Sequence, residues 1–173
     1  MSTNRWIVGG ALAGLLVAGM GMAQAKKESN RQVIDRWFET IDSKQLDKLA
    51  GVETADLEMK MPGGMVVKGS AGHAQMTKMF AAGFPNFKHT VSRCVESGET
   101  IACEGKWGGD HTGPFAMPNG QTVAATNKHV EFEWAGLATI KNGKVATVNV
   151  YFDNLGFLQQ LGVIPPPPAH ASR

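Results

Sequence analysis

Charge is scarce in this 173-residue chain: Asp, Glu, Lys and Arg together make up 18% of it, against about 25% in an ordinary soluble domain. That fits a mostly buried chain whose surface is rich in backbone polarity. The net charge is only +2, and no cluster of Lys or Arg supplies the footprint a nucleic-acid backbone requires. Nucleic acid is therefore excluded as a partner. Five histidines are scattered along the chain, and no two stand at i, i+3 or i+4, so a helical metal-ligand pair is absent. No metal and no cofactor is implied. There are no internal repeats. No apolar run reaches the ~20 residues of a membrane-spanning helix.

The longest apolar stretch lies at the amino terminus. Arg5 provides a positive start, Ile7 to Met22 is apolar or glycine, and no charge follows until Lys26. Ala23-Gln24-Ala25 has the small-residue pattern of a signal-peptidase site. Residues 1–25 therefore read as a secretory signal, with a membrane anchor as the alternative. Cleavage leaves 148 residues, net charge +1 and no membrane segment. This is enough for one domain with a true core, expected in the periplasm or secreted.

The two cysteines, Cys94 and Cys103, fall on successive strand patterns, about 88–96 and 100–109. If the loop between them is Gly98-Glu99, the cysteines stand opposite each other, where Cβ atoms come within disulfide reach. An oxidising compartment permits the bond. Two free thiols on a sheet remain the alternative, since a register shift of one residue separates the faces.

Helical spacing predicts a helix over 30–46, with Val33, Ile34, Trp37, Phe38 and Ile41 on one face. A short helical turn follows at 47–50. Alternation over 55–61 predicts a strand, broken by Pro62-Gly63-Gly64. Ser70 reads as the N-cap of a helix through Ala82, with Met76, Met79 and Phe80 facing inward. A second hairpin is expected from about 129–140 and 144–152, joined by Asn142-Gly143, a tight-turn signal. The domain runs over 28–162. Residues 163–173, with Pro165 to Pro168, read as a Pro-rich disordered tail. Helices first and an antiparallel sheet after is an α+β layout.

Several segments carry a family resemblance: Arg36-Trp37-Phe38-Glu39, Phe84 through Val91, His111-Thr112-Gly113-Pro114-Phe115, Asn142-Gly143-Lys144, and Tyr151 through Gly162. In this order and spacing the chain resembles the SnoaL-like polyketide cyclases and their ester-cyclase relatives. The resemblance implies the cone-shaped α+β fold of the nuclear transport factor 2 superfamily, in which amino-terminal helices pack on a strongly curved antiparallel sheet. It also implies a cavity for a small, largely apolar molecule. In the cyclases of this group an Asp on the last strand is the acid/base and a His on the preceding strand sits beside it. Counted from the Asn-Gly turn, these positions are Val150 and Gly136 here, and a further polar position is Trp134. None of the three can transfer a proton.

Alternation places Phe132, Trp134, Gly136, Ala138 and Ile140 on one face of the first strand of that hairpin. Ala146, Val148, Val150 and Phe152 share a face of the second. With Trp37 and Phe38, these form the expected ligand-binding wall. The opposite face, with Glu131, Glu133, Asn149, Tyr151 and Asp153, is either solvated or the interface of a homodimer. The titratable candidates are His111 with Asp110, and Asp153. Each has a structural alternative: a loop hydrogen bond for the first two, a helix N-cap for Asp153. His73 shares a face with Met76 and Phe80, so it either reaches the cavity rim or fills the core. Two readings follow. One is a binding protein for a small apolar molecule. The other is a cyclase or isomerase that uses His111 with Asp110 or Asp153.

Overall fold

The computed structural model describes residues 28–117 and 120–165. The signal segment and all but the start of the Pro-rich tail lie outside the described residues. Helix α1 (Asn30–Asp42) begins at a capping box, in which Ser29 and Gln32 satisfy each other's backbone N–H. It buries Val33, Ile34, Trp37 and Ile41. The helix stops four residues earlier than its apolar spacing predicts, because Lys44 adopts a left-handed backbone with φ 59°. Its Nζ is bonded to the carbonyls of Asp42 and Phe87 and lies over the Phe87 ring. A 3-10 turn at Leu46–Lys48 and a short helix α2 (Leu49–Val52) lead into the sheet.

Six strands form that sheet: β1 (Glu53–Met61), β2 (Met65–Lys68), β3 (Lys88–Ser97), β4 (Thr100–Asp110), β7 (His129–Lys141) and β8 (Lys144–Phe152). The spatial order is β2-β1-β8-β7-β4-β3. Every pairing is antiparallel except β1 with β8. Two short strands, β5 (Phe115–Ala116) and β6 (Thr122–Val123), pair within the long loop. Helix α3 (Gly69–Gly83) crosses between β2 and β3, and α4 (Asn154–Leu161) follows β8.

Both hairpin turns form at the expected residues. Asn142 and Gly143 have φ 50° and 72°, the positive values a two-residue I′ turn requires. Ser97 pairs with Thr100, which leaves Gly98-Glu99 as the loop. Cys94 stands opposite Cys103, and the two are joined by a disulfide. Two expectations change and one strand is added. Helix α3 starts at Gly69, so Ser70 lies inside it and makes no cap. Pro62-Gly63-Gly64 ends β1 as expected, and the segment after it is a further strand, β2, to which the sequence pattern assigns no element. A register shift between β7 and β8 after Thr139 breaks the alternation, so neighbouring Val145 and Ala146 are both buried.

Candidate functional site

A cavity of about 100 Å³ lies between α1, α3 and the concave face of the sheet. Its wall follows from two periodicities. Helix α1 presents Trp37, Phe38 and Ile41 at helical spacing, and α3 presents His73, Met76, Thr77 and Phe80. The strands contribute every second residue: Met59 and Met61 of β1, Phe132, Trp134 and Gly136 of β7, and Val148, Val150 and Phe152 of β8. Of the eleven expected wall residues, Trp37, Phe38, Phe132, Trp134, Gly136, Val148, Val150 and Phe152 line it, and Ala138, Ile140 and Ala146 do not. Ala138 and Ile140 share their face but sit in the core beyond the cavity.

Trp134 depends on a glycine. A Cβ at Gly105 would stand 1.8 Å from the Thr90 carbonyl oxygen and 3.0 Å from Trp134 Cζ2. Only glycine therefore allows the strand and the indole to approach this closely. The Trp134 Nε1 proton is buried with no partner in the protein.

Two histidines interrupt this largely apolar wall, and each is held by a carboxylate. His73 of α3 bonds through Nδ1 to Glu53 Oε1 at the start of β1. The same oxygen accepts from Trp37 Nε1 at 2.7 Å. His73 and Glu53 are almost fully buried, at 3% and 0% side-chain exposure. His89 of β3 bonds through Nδ1 to Asp42 Oδ1 at 2.7 Å, and its backbone N–H donates to Asp42 Oδ2 at 2.9 Å. This second pair is more open, at 18% and 16%. A carboxylate only accepts, so Nδ1 carries the proton in the neutral ring and the lone pair falls on Nε2. Both rings line the cavity. The arrangement thus supplies two oriented imidazole bases in an aromatic enclosure.

The titratable residues singled out from sequence stand elsewhere, and none of the three lines the cavity. His111 is completely buried and stacks on Phe84 at 4.9 Å. Its Nδ1 meets Thr126 Oγ1 at 2.9 Å and accepts from the Thr126 N–H, which ties down the long loop. Burial pushes its pKa below the usual histidine value. Asp110 is half-buried and bonded to His129 Nδ1 and Asn86 Nδ2. Those bonds hold its carboxyl below the ordinary range. Asp153 caps α4, accepting from the Gly156 N–H at 2.9 Å. His73, read as rim or core, is on the wall. Glu53 and Asp42 gave no sequence signal, since they lie 20 and 47 residues from their histidines. Among the described residues, no group of three or more His, Cys, Asp or Glu is arranged to hold a metal.

Comparison with known proteins bears on the fold. A structure from Jannaschia sp. CCS1, assigned as a SnoaL-like polyketide cyclase, superposes with TM-score 0.68 at 18% identity, over 82% of this chain and 99% of that one. IdmH of Streptomyces antibioticus, assigned as a polyketide cyclase, gives 0.66 at 21%, over 78% and 99%. A protein of ketosteroid-isomerase-like fold from Catenulispora acidiphila, complexed with trimethylamine, gives 0.63 at 16%, over 78% and 95%. A search of curated proteins found no match. The family model for SnoaL-like polyketide cyclase matches residues 31–161. With that match spanning most of its length, and with helices packed on a curved, mostly antiparallel sheet, the chain belongs to the SnoaL-like polyketide cyclase family, whose fold supports a small-molecule-binding protein of cyclase or isomerase type.

Proposed function

We propose that this protein binds a small, largely apolar carbonyl compound and moves a proton on it, as in an aldol-type ring closure or a double-bond isomerisation. The observation that carries this reading is the His73–Glu53 pair on the cavity wall. A base in a dry enclosure, fixed in tautomer by a carboxylate, is what proton abstraction next to a carbonyl needs. Such a group contributes roughly 10²–10⁴-fold in rate. The unpartnered Trp134 N–H adds a donor that a ligand oxygen would satisfy.

The test is turnover of a panel of small ketones and diketones by the parent and by His73→Gln. Loss of at least 100-fold in kcat/KM, with the fold intact by circular dichroism, is expected. Equal turnover in both would remove His73 from the reaction. A second reading, a binding protein without chemistry, is favoured by Val150 and Gly136 at the family's acid/base positions. Tight ligand binding by a parent that turns nothing over would establish it.

The same reading includes export. The apolar run after Arg5 and the Ala23-Gln24-Ala25 site support a mature chain that begins at Lys26. Intact mass of the exported protein checks it, and retention of residues 1–25 would refute it.

A further inference from the structure

We propose that the two histidine–carboxylate pairs divide one reaction between them: His73 removes the carbon-bound proton, and His89 returns a proton to the oxygen of the product. The proposal rests on the proton-transfer reading above and adds a second catalytic residue and a substrate size.

Three observations carry it. First, the pairs face the same cavity from different elements, His73 from α3 and His89 from β3. Trp37 and Phe38 of α1 lie between them: His73 is 5.5 Å from the Trp37 ring, Trp37 is 4.9 Å from Phe38, and Phe38 is 4.6 Å from His89. A substrate lying along these rings has one imidazole at each end. Second, the pairs differ in burial. His73 and Glu53 are sealed, whereas His89 and Asp42 are partly exposed. A partly open acid can reload its proton between turnovers. Third, Asp42 holds both the ring and the backbone N–H of His89. The ring is thereby pinned, with Nδ1 on a carboxylate at 2.7 Å and Nε2 left for the substrate.

The steps balance for a dicarbonyl substrate. His73 Nε2 takes a proton from the carbon beside one carbonyl, and the C–H electron pair remains on the substrate as an enolate. The enolate carbon forms a C–C bond to the second carbonyl carbon, whose π electrons pass to its oxygen. That alkoxide takes the proton from Nε2 of protonated His89. The product is an isomer of the substrate, so no oxidant or reductant enters. The sites reset when His73 gives up one proton to solvent and His89 takes one from it.

The cavity of about 100 Å³ is smaller than the ~150 Å³ void that holds a benzene, so a single ring or its open-chain precursor is its upper limit and enters only as flexible wall residues such as Met59, Met61 and Met76 give way. Fused polycyclic substrates are too large for it. The substrate class is therefore a short diketone that closes to one ring.

Heptane-2,6-dione is a suitable probe, because its aldol closure to 3-hydroxy-3-methylcyclohexanone keeps every atom. Two rates are followed by NMR in D₂O: exchange of the protons beside the carbonyls, and cyclisation. The parent should accelerate both. His89→Gln should lower cyclisation by roughly 100-fold or more relative to exchange. His73→Gln should abolish both. Asp42→Asn should move the ratio of the two rates in the same direction as His89→Gln, by a smaller factor. A merely structural role for His89 would lower both rates together, and that result overturns the proposal. So does unchanged cyclisation in a folded His89→Gln variant. If His89→Gln fails to fold, the ratio measured for Asp42→Asn decides alone. A parent that neither exchanges nor cyclises the probe refutes the proton-transfer reading itself, and this inference with it.

Discussion

His111 shows how a residue that looks chemical can be structural. Its Nδ1 accepts from Thr126, so the ring proton sits on Nε2, which is buried without a partner. Protonating Nδ1 would place a charge among Phe84 and Phe115 and turn an acceptor toward a backbone donor. The folded-state pKa is accordingly lowered by burial. The sign follows from linkage: the unfolded chain takes up a proton at about pH 6.5, where the folded one does not. Stability is full above that pH and falls as the pH drops below it, until the folded-state pKa is reached. His111→Gln should flatten this dependence in urea titrations between pH 7 and 5; an unchanged slope would show that His111 is not its source. Val150 presents the converse case. An Asp there restores the family's acid/base position but meets Ile, Met, Phe and Trp side chains around the cavity. Burying an ionised carboxylate with no partner is costly, so Val150→Asp should lower the midpoint of unfolding, by about 1–3 kcal/mol in stability. Parent-like stability would indicate that the new carboxyl finds a partner, with His73 or His89 the candidates.

Among the elements, the β3–β4 hairpin carries the next expectation. Its disulfide closes a short loop, with Cys94 and Cys103 nine residues apart, so it should contribute on the order of 2 kcal/mol. Replacing both cysteines by Ala should lower the melting temperature by several degrees and leave the sheet intact. No change would mean that the strand pairing alone holds the register. This hairpin was legible in the sequence because everything that specifies it is local: the two-residue Gly98-Glu99 loop sets the register and hence the cysteine pairing. The Asn142-Gly143 turn was legible for the same reason. Strand β2 was not. Its four residues, Met65–Lys68, are too few to show a period, and they follow a Pro-Gly-Gly turn that reads as a break. The parallel pairing of β1 with β8 joins segments some 90 residues apart, which no local pattern encodes. The end of α1 was misplaced because the left-handed turn at Lys44 is fixed by carbonyls of Asp42 and Phe87, the latter a tertiary contact. The site divides along the same line. Its aromatic wall was readable from period-two alternation in Phe132, Trp134, Val148, Val150 and Phe152. Its histidine–carboxylate pairs were not, because only the closed fold brings Glu53 to His73 and Asp42 to His89.

At the scale of the whole molecule, the enclosure makes ligand binding and stability the same measurement. A compound that occupies the cavity binds the folded chain and not the unfolded one, so at 100 times its Kd it adds about 2.7 kcal/mol. For a domain of this size that raises the melting temperature by roughly 5–11 °C. Three of the four tryptophans, Trp37, Trp107 and Trp134, line the cavity, and the fourth is Trp6. In protein lacking the first 25 residues, all indole fluorescence therefore reports on the site. Gly136 offers a control that separates occupancy from folding. A Cβ there meets nothing closer than 3.7 Å, and the backbone does not require glycine. The Gly136→Leu side chain would extend from the wall into the space a ligand would use, without displacing the strand. The parent should show tryptophan quenching and a raised melting temperature with a single-ring ketone. Gly136→Leu should melt at or above the parent temperature and lose both responses. If Gly136→Leu still binds with the parent's affinity, the ligand sits outside this cavity. If neither protein responds to any single-ring ketone, the cavity is packing space rather than a binding site.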